Sequence, residues 1–321
     1  MTILTGGGEI SSGVPADAST TDTTAGGYDS AFCRGSVYVY SLGNGVGSYF
    51  ESEHITETSE VFFHADWYQD AWFNPEDVVT FFDGAGLAVF RLRVSNSSML
   101  CQAQYLASDG TTWTNIGSSF TTLLDTRNTI DIHMNAANPG TVSVYMSGTE
   151  RSTGTADLSH IGGVAYYRIR SSLNSYWSQM LLSTESTIGH RLKTVPPTGA
   201  GATTDWTGTF NEIDEIPYND ADFVNSSTNG QVELFSHGTT IPSGYRVKAV
   251  IVAARAKRGS TGPSNLQLAL QSGGTTYTSS SKALGLGYGA YTAVWENDPA
   301  TAAPFTASAI ETLQFGVKAI T

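Results

Sequence analysis

From residue 33 onward the chain alternates apolar and polar side chains with a period of two. Val37-Tyr38-Val39-Tyr40, Val61-Phe62-Phe63-His64, Val78-Val79-Thr80-Phe81-Phe82 and Leu87–Val94 are β-branched and aromatic runs, each bounded by Gly, Asn, Asp or Pro. Within the last, Phe90, Leu92 and Val94 alternate with Arg91 and Arg93, which predicts one buried and one solvated face. Further strands are predicted at Met99–Leu106, Trp113–Phe120, Thr129–Met134, Thr141–Met146, Gly163–Arg170 and Tyr176–Leu182. No stretch here carries a sustained helical stripe with caps. Short strands at this spacing predict an all-β, antiparallel jelly-roll sandwich over 33–192.

The pattern breaks at Val195-Pro196-Pro197-Thr198-Gly199-Ala200-Gly201, so 193–204 is expected to be a Pro/Gly linker without regular structure. A second, smaller antiparallel β-sandwich is expected over 205–321, with strands at Gln231–Ser236, Tyr245–Ala256, Asn265–Ser272, Tyr291–Trp295 and Thr312–Ile320. Residues 1–32 read as an extended arm: Gly, Ser and Thr supply 16 of the first 30 positions. Its aliphatic anchors, Ile3, Leu4, Ile10 and Val14, are too few for a core of its own, which suits docking on a neighbouring subunit.

Charge sharpens this division. The 321 residues carry a net −13, but residues 1–192 hold 8 Arg, no Lys and 19 acids, net −11, while residues 193–321 hold 8 bases and 10 acids, net −2. This balance argues against nucleic acid as the main partner. No apolar run reaches the roughly 18–20 residues that span a bilayer, and Met1–Ile10 lacks the pattern of a secretory leader, so no membrane insertion is expected. Two cysteines, Cys33 and Cys101, do not make a disulfide framework and are expected as free thiols.

Three groups of residues resemble the central strands of laminin-G-like, concanavalin-type sandwiches: Asp109-Gly110-Thr111-Thr112-Trp113, Thr129–His133 and Gly140–Gly148. Tyr176–Leu182 looks like their closing strand. The stretch Leu192–Thr321, with Asp205-Trp206, Asn211–Glu215, Ala253–Lys257, Asp298–Thr301 and Gln314–Val317, resembles the carboxy-terminal module that tailed-bacteriophage virion proteins join to such a domain. The resemblance implies a structural protein of a phage virion, assembled in the bacterial cytoplasm. It would be a fibre, spike or decoration bound to other virion proteins through the arm. The alternative is a carbohydrate-binding module for host attachment.

Concanavalin-type glucanases need three carboxylates at alternating or bulged positions of one strand. Glu212-Ile213-Asp214-Glu215 comes nearest, but Ile216 and Pro217 stand where the third acid belongs, so no catalytic residue is expected. The cluster Glu51, Glu53, Glu57 and Glu60 reads as a solvated face, since no D-x-D-x-D-G loop is present, and the single histidines hold no metal pattern. No cofactor is expected. Asp66–Asn74 is an aromatic-rich loop or bulged strand whose make-up suits sugar contact but equally suits anchors of a sandwich core or an interface, with Trp67, Tyr68, Asp70, Trp72 and Asn74 as the glycan or interface candidates. Arg246, Lys248, Arg255, Lys257 and Arg258 concentrate base on one expected hairpin, a candidate contact for an acidic neighbour. With several copies needed for firm attachment, a homo-oligomer is expected, preferably a trimer.

Overall fold

In the computed structural model, residues 3–7, 19–22, 35–39, 49–69, 75–95, 99–170, 175–215 and 219–321 are described. They divide into two compact units, the first ending at Lys193 and the second running Thr194–Thr321. No helix among the described residues is long and apolar enough to cross a membrane.

The first unit holds β1 (Ile3–Gly7), β2 (Ser19–Asp22), β3 (Gly35–Val39), β4 (Tyr49–Glu51) and β5 (Glu60–Gln69). There follow β6 (Glu76–Phe82), β7 (Ala88–Val94), β8 (Leu100–Leu106), β9 (Trp113–Asn115) and β10 (Phe120–Thr121). The last five are β11 (Asn128–Asn135), β12 (Gly140–Met146), β13 (Thr149–Ala156), β14 (Tyr166–Arg170) and β15 (Ser175–Ser183). They build two antiparallel sheets. The larger runs β13-β12-β11-β5-β15-β3-β2, with β1 also on β15; the smaller runs β10-β8-β7-β6-β14-β4, with β9 on β8. Long-range pairs such as β5 with β15 and β6 with β14 give the jelly-roll connectivity.

Alternation decides which side chains fill the space between the sheets. Val61, Phe63, Ala65 and Trp67 of β5 meet Phe90, Leu92 and Val94 of β7, with Ile130, Ile132, Val142, Val144, Tyr167 and Trp177, in one buried cluster. Each large side chain so buried contributes about 1.5–3 kcal/mol. Arg91 and Arg93 point away from this cluster and stay partly exposed, as the alternation of β7 predicts.

Two expectations need correction. The amino-terminal segment is not an arm without a place in the fold. Ile3 and Leu4 lie in β1, which pairs antiparallel with β15 of the same chain, and Ser19–Asp22 pair with β3. Main-chain pairing needs no apolar side chains, so a Gly/Thr-rich stretch can join a sheet edge. Ile10 and Val14 lie outside the described residues. Nor is 193–204 without structure, because β16 (Gly199–Thr204) begins two residues after Pro197 and pairs with β17 (Val232–Ser236). Glycine makes that approach possible: a Cβ on Gly201 would stand 2.5 Å from the Leu234 carbonyl carbon.

The second unit adds β18 (Val250–Ala256), β19 (Asn265–Ser272), β20 (Thr275–Thr278), β21 (Lys282–Ala283), β22 (Gly289–Trp295), α1 (Ala307–Thr312) and β23 (Gln314–Ile320). One sheet runs β16-β17-β23-β19-β20 with β21 on β19, and β18 and β22 form a separate two-stranded ribbon. Val252, Leu266, Leu268, Leu270, Phe305, Ile310 and Leu313 are its core. The strand expected from Thr312 starts at Gln314, because Thr306 caps α1 by accepting the Ala309 amide at 3.1 Å. The strand expected from Tyr245 starts at Val250.

Candidate functional site

The aromatic stretch singled out at 66–74 does not present its first tryptophan to solvent. Trp67 is 1% exposed, donates its indole N–H to Ser175 Oγ at 3.1 Å and stacks on Trp177. It is a core residue and is withdrawn as a ligand contact. Tyr68, one position on, faces the other side of β5, donates to Asp125 at 3.3 Å and meets Tyr176 edge-on. Asp70, Trp72 and Asn74 lie outside the described residues.

The centre of the larger sheet's outer face is occupied by the chain itself. Asp131 Oδ1 contacts His64 Nδ1 at 2.9 Å and accepts the Thr187 hydroxyl at 2.8 Å. Beside it, Asp66 Oδ2 accepts from Arg127 Nη2 at 2.6 Å and from Gln179 Nε2 at 2.5 Å. The Gln179 carbonyl oxygen accepts from Arg191 Nε and the Leu192 amide. His64, Asp66, Asp131, Gln179 and Thr187 are all buried, so the segment around Thr187–Arg191 closes this part of the sheet.

The smaller sheet's outer face is built differently. Register places Asn115 opposite Gln104, Gln104 opposite Arg91, Arg91 opposite Thr80, Thr80 opposite Arg168, and Arg168 opposite Glu51. One polar row therefore crosses β9, β8, β7, β6, β14 and β4. Its side chains interlock: Gln104 Nε2 donates to Asn115 Oδ1 at 2.7 Å, Arg91 Nε donates to Gln104 Oε1 at 2.7 Å, and Arg91 Nη1 donates to Asp77 Oδ2 at 3.1 Å. Arg93 Nη1 reaches the other Asp77 oxygen at 3.0 Å, and Arg168 Nε donates to Glu51 at 2.5 Å.

Aromatic rings hold these guanidinium groups. Arg91 lies 4.2 Å from the Trp113 ring centre, and Arg168 lies 4.5 Å from both Tyr49 and Phe82. Tyr166 stacks on Phe82 at 4.7 Å and on His54 at 4.0 Å. Burial lowers the Arg91 guanidinium from its ordinary value against the opposing pull of Asp77, and it remains a cation. Stacking and these in-sheet hydrogen bonds fix the planes of the Arg91 and Arg168 guanidiniums.

Other candidates are dispersed. Arg246 and Lys248 precede β18, Arg255 lies in it, and Lys257 and Arg258 follow it, but the paired strand is the distant β22, so there is no hairpin as expected. Arg255 donates twice to Asp220, at 2.7 and 2.8 Å, and Lys257 Nζ lies 4.2 Å from the Tyr288 ring. The acidic cluster at 51–60 is not one solvated face either. Glu51 pairs with Arg168, Glu57 accepts the Gly84 amide at 3.1 Å, and Glu60 contacts His133 at 2.9 Å. Glu212 accepts both the amide and hydroxyl of Thr209 at 2.6 Å as a cap, which holds its carboxyl below the usual range. Among the described residues no group of three or more His, Cys, Asp or Glu is placed to hold a metal ion.

The solvated side of β7 is legible in the residue order, but the face that Arg91 and Arg93 share with Arg168, Arg170, Gln104, Asn115 and Trp113 is not. One signal was present: Tyr166-Tyr167-Arg168-Ile169-Arg170 repeats the β7 alternation, and the two strands hold four of the eight arginines in residues 1–192.

No protein-family model and no curated protein matches the chain. Solved structures similar to it include the receptor-binding domain of botulinum neurotoxin type G, at 9% identity and TM-score 0.39 over 56% of this chain and 43% of that one. An endo-β-1,4-glucuronan lyase from Trichoderma reesei matches at 8% identity and TM-score 0.38, over 54% of this chain and 89% of that one. A carbohydrate-binding module from Bacillus subtilis matches at 9% identity and TM-score 0.31, over 42% and 81% respectively. Likenesses of this size carry no argument about activity. The all-β assignment rests on the sheets themselves.

Proposed function

We propose that this is a non-enzymatic attachment protein whose first unit binds carbohydrate on the outer face of its smaller sheet. The observation that carries the reading is the row Asn115–Gln104–Arg91–Thr80–Arg168–Glu51. Amides, guanidiniums and carboxylates in fixed positions offer the donors and acceptors that sugar hydroxyls require, and the planar side chains are pre-ordered by their rings and by one another. The larger sheet's centre is buried under Thr187 and its neighbours, whereas on the smaller sheet Arg91, Gln104, Thr80, Arg168 and Glu51 are half-buried and Asn115 is exposed. The Glu212 carboxyl, held below its usual range by the Thr209 hydroxyl and amide, has the reverse of the raised pKa that a general acid needs, which speaks against Glu212 as a cleaving residue.

The two-module order resembles tailed-phage virion proteins, and this supports a place on the surface of such a particle, as a fibre, spike or decoration in trimeric form. Contact with other virion proteins through residues 1–32 belongs to the same proposal, though Ile3–Gly7 are engaged with β15. The binding reading is tested by a glycan array probed with the full chain and with Arg91→Gln. Signal on at least one glycan, lowered tenfold or more by the substitution, is expected. Equal binding by both proteins contradicts the assignment of the face.

A further inference from the structure

Resting on that carbohydrate-binding reading, we infer that the glycan recognised is acidic, bearing carboxylates that are read by Arg170 beside Tyr49 and by Arg93 two strands away on β7. Four arginines, Arg91, Arg93, Arg168 and Arg170, stand on this face, and among the described residues the carboxylates that pair with them are Asp77 and Glu51. The rest of the first unit is strongly acidic. Guanidiniums thus outnumber the carboxylates that pair with them, which selects the charge of what lands there.

The surplus can be placed. Arg168 is neutralised by Glu51, and Arg91 shares Asp77 with Arg93. Arg170 stands opposite Tyr49 in the register, its guanidinium 5.9 Å from that ring, and no carboxylate of the described residues pairs with it. Tyr49 is itself 37% exposed and carries Arg168 on its ring. Arg93, with 39% of its side chain exposed, has donors left after its one bond to Asp77. A guanidinium presents a planar fork that matches a carboxylate with two parallel hydrogen bonds.

Glycan is favoured over the other anionic polymers by what lies between these forks. Gln104, Asn115 and Thr80 supply neutral hydroxyl-matching groups along the same row, whereas an acidic peptide would leave them unused. Single-stranded nucleic acid needs open ring faces for its bases, and the rings of Trp113, Tyr49 and Phe82 are already covered by guanidiniums.

The test is direct binding of the full chain to immobilised polygalacturonate, alginate and polysialic acid, each beside its carboxyl-reduced form, with polyglutamate and oligothymidylate as further surfaces. Binding to at least one acidic polysaccharide is expected, falling tenfold or more on carboxyl reduction and by a similar factor in Arg170→Gln. Binding to neutral, carboxyl-reduced forms alone overturns the acidic inference and leaves the carbohydrate reading standing. Equal binding to polyglutamate or oligothymidylate overturns the choice of glycan. Silence on every glycan surface removes both readings.

Discussion

The indoles of Trp67 and Trp177 stack in the core of the first unit, centroids 5.3 Å apart and planes 15° from parallel, on directly paired positions of β5 and β15. Both are buried, so the pair fastens two central strands of the larger sheet rather than meeting a ligand. Trp67→Ala is expected to destabilise the first unit by about 3–5 kcal/mol, the usual cost of emptying a large aromatic site. Urea unfolding measures this. Glycan affinity of the fraction still folded should be unchanged, and a selective loss of binding would return Trp67 to the site.

Asp66 is fully buried and depends on its cations. Arg127 donates to it twice, at 3.0 and 2.6 Å. Arg127→Met is expected to cost about 3 kcal/mol by stranding a buried charge, and Asp66→Asn introduced beside it should restore part of that loss. A double-mutant cycle by denaturant unfolding gives the coupling, and additive costs would refute it.

The turn between β8 and β9 carries a pH-dependent contribution of definite sign. The Asp109 carboxylate accepts the Thr111 and Thr112 amides, at 2.9 and 2.8 Å, and the Thr112 hydroxyl, and these bonds hold its carboxyl down at about 2. A folded-state value below the unfolded one means a contribution present above about pH 4 and lost as pH falls toward 2. Asp109→Asn should therefore lose less stability than the parent across that window. Identical acid unfolding profiles would remove Asp109 as a contributor.

Cys101 lies in the core of the first unit, where burial pushes its thiol up to about 12. Almost no thiolate exists at neutral pH. In a Cys33→Ser background the native protein should be inert to a thiol reagent at pH 8 and react once per chain after denaturation. Rapid native labelling would show that the core opens.

Legibility followed the physics of each element. β5 and β7 were readable because half their side chains are apolar and buried, so alternation shows directly in the residue order. β13, with Ser152 as its one buried residue, and β16, Gly-Ala-Gly-Ala-Thr-Thr, carry no such pattern and are specified by main-chain pairing to neighbours. Trp67 stayed open between core, interface and sugar contact because Trp, Tyr and Asp together also suit a binding loop, although the parity set by Phe63 and Ala65 already placed it inward. The arginine face lay beyond reach for a different reason. Arg91 and Arg168 are brought into one row through Thr80, and only the non-local pairing of β6 with β14 sets that register.

The location of the binding face is tested most directly by hydrogen–deuterium exchange on the full chain, with and without a saturating amount of the acidic polysaccharide that it binds. Slowed exchange in peptides covering 88–94, 100–106 and 166–170 is the predicted result. Protection confined to 128–156 on the larger sheet, or to 246–258 in the second unit, would contradict the assignment.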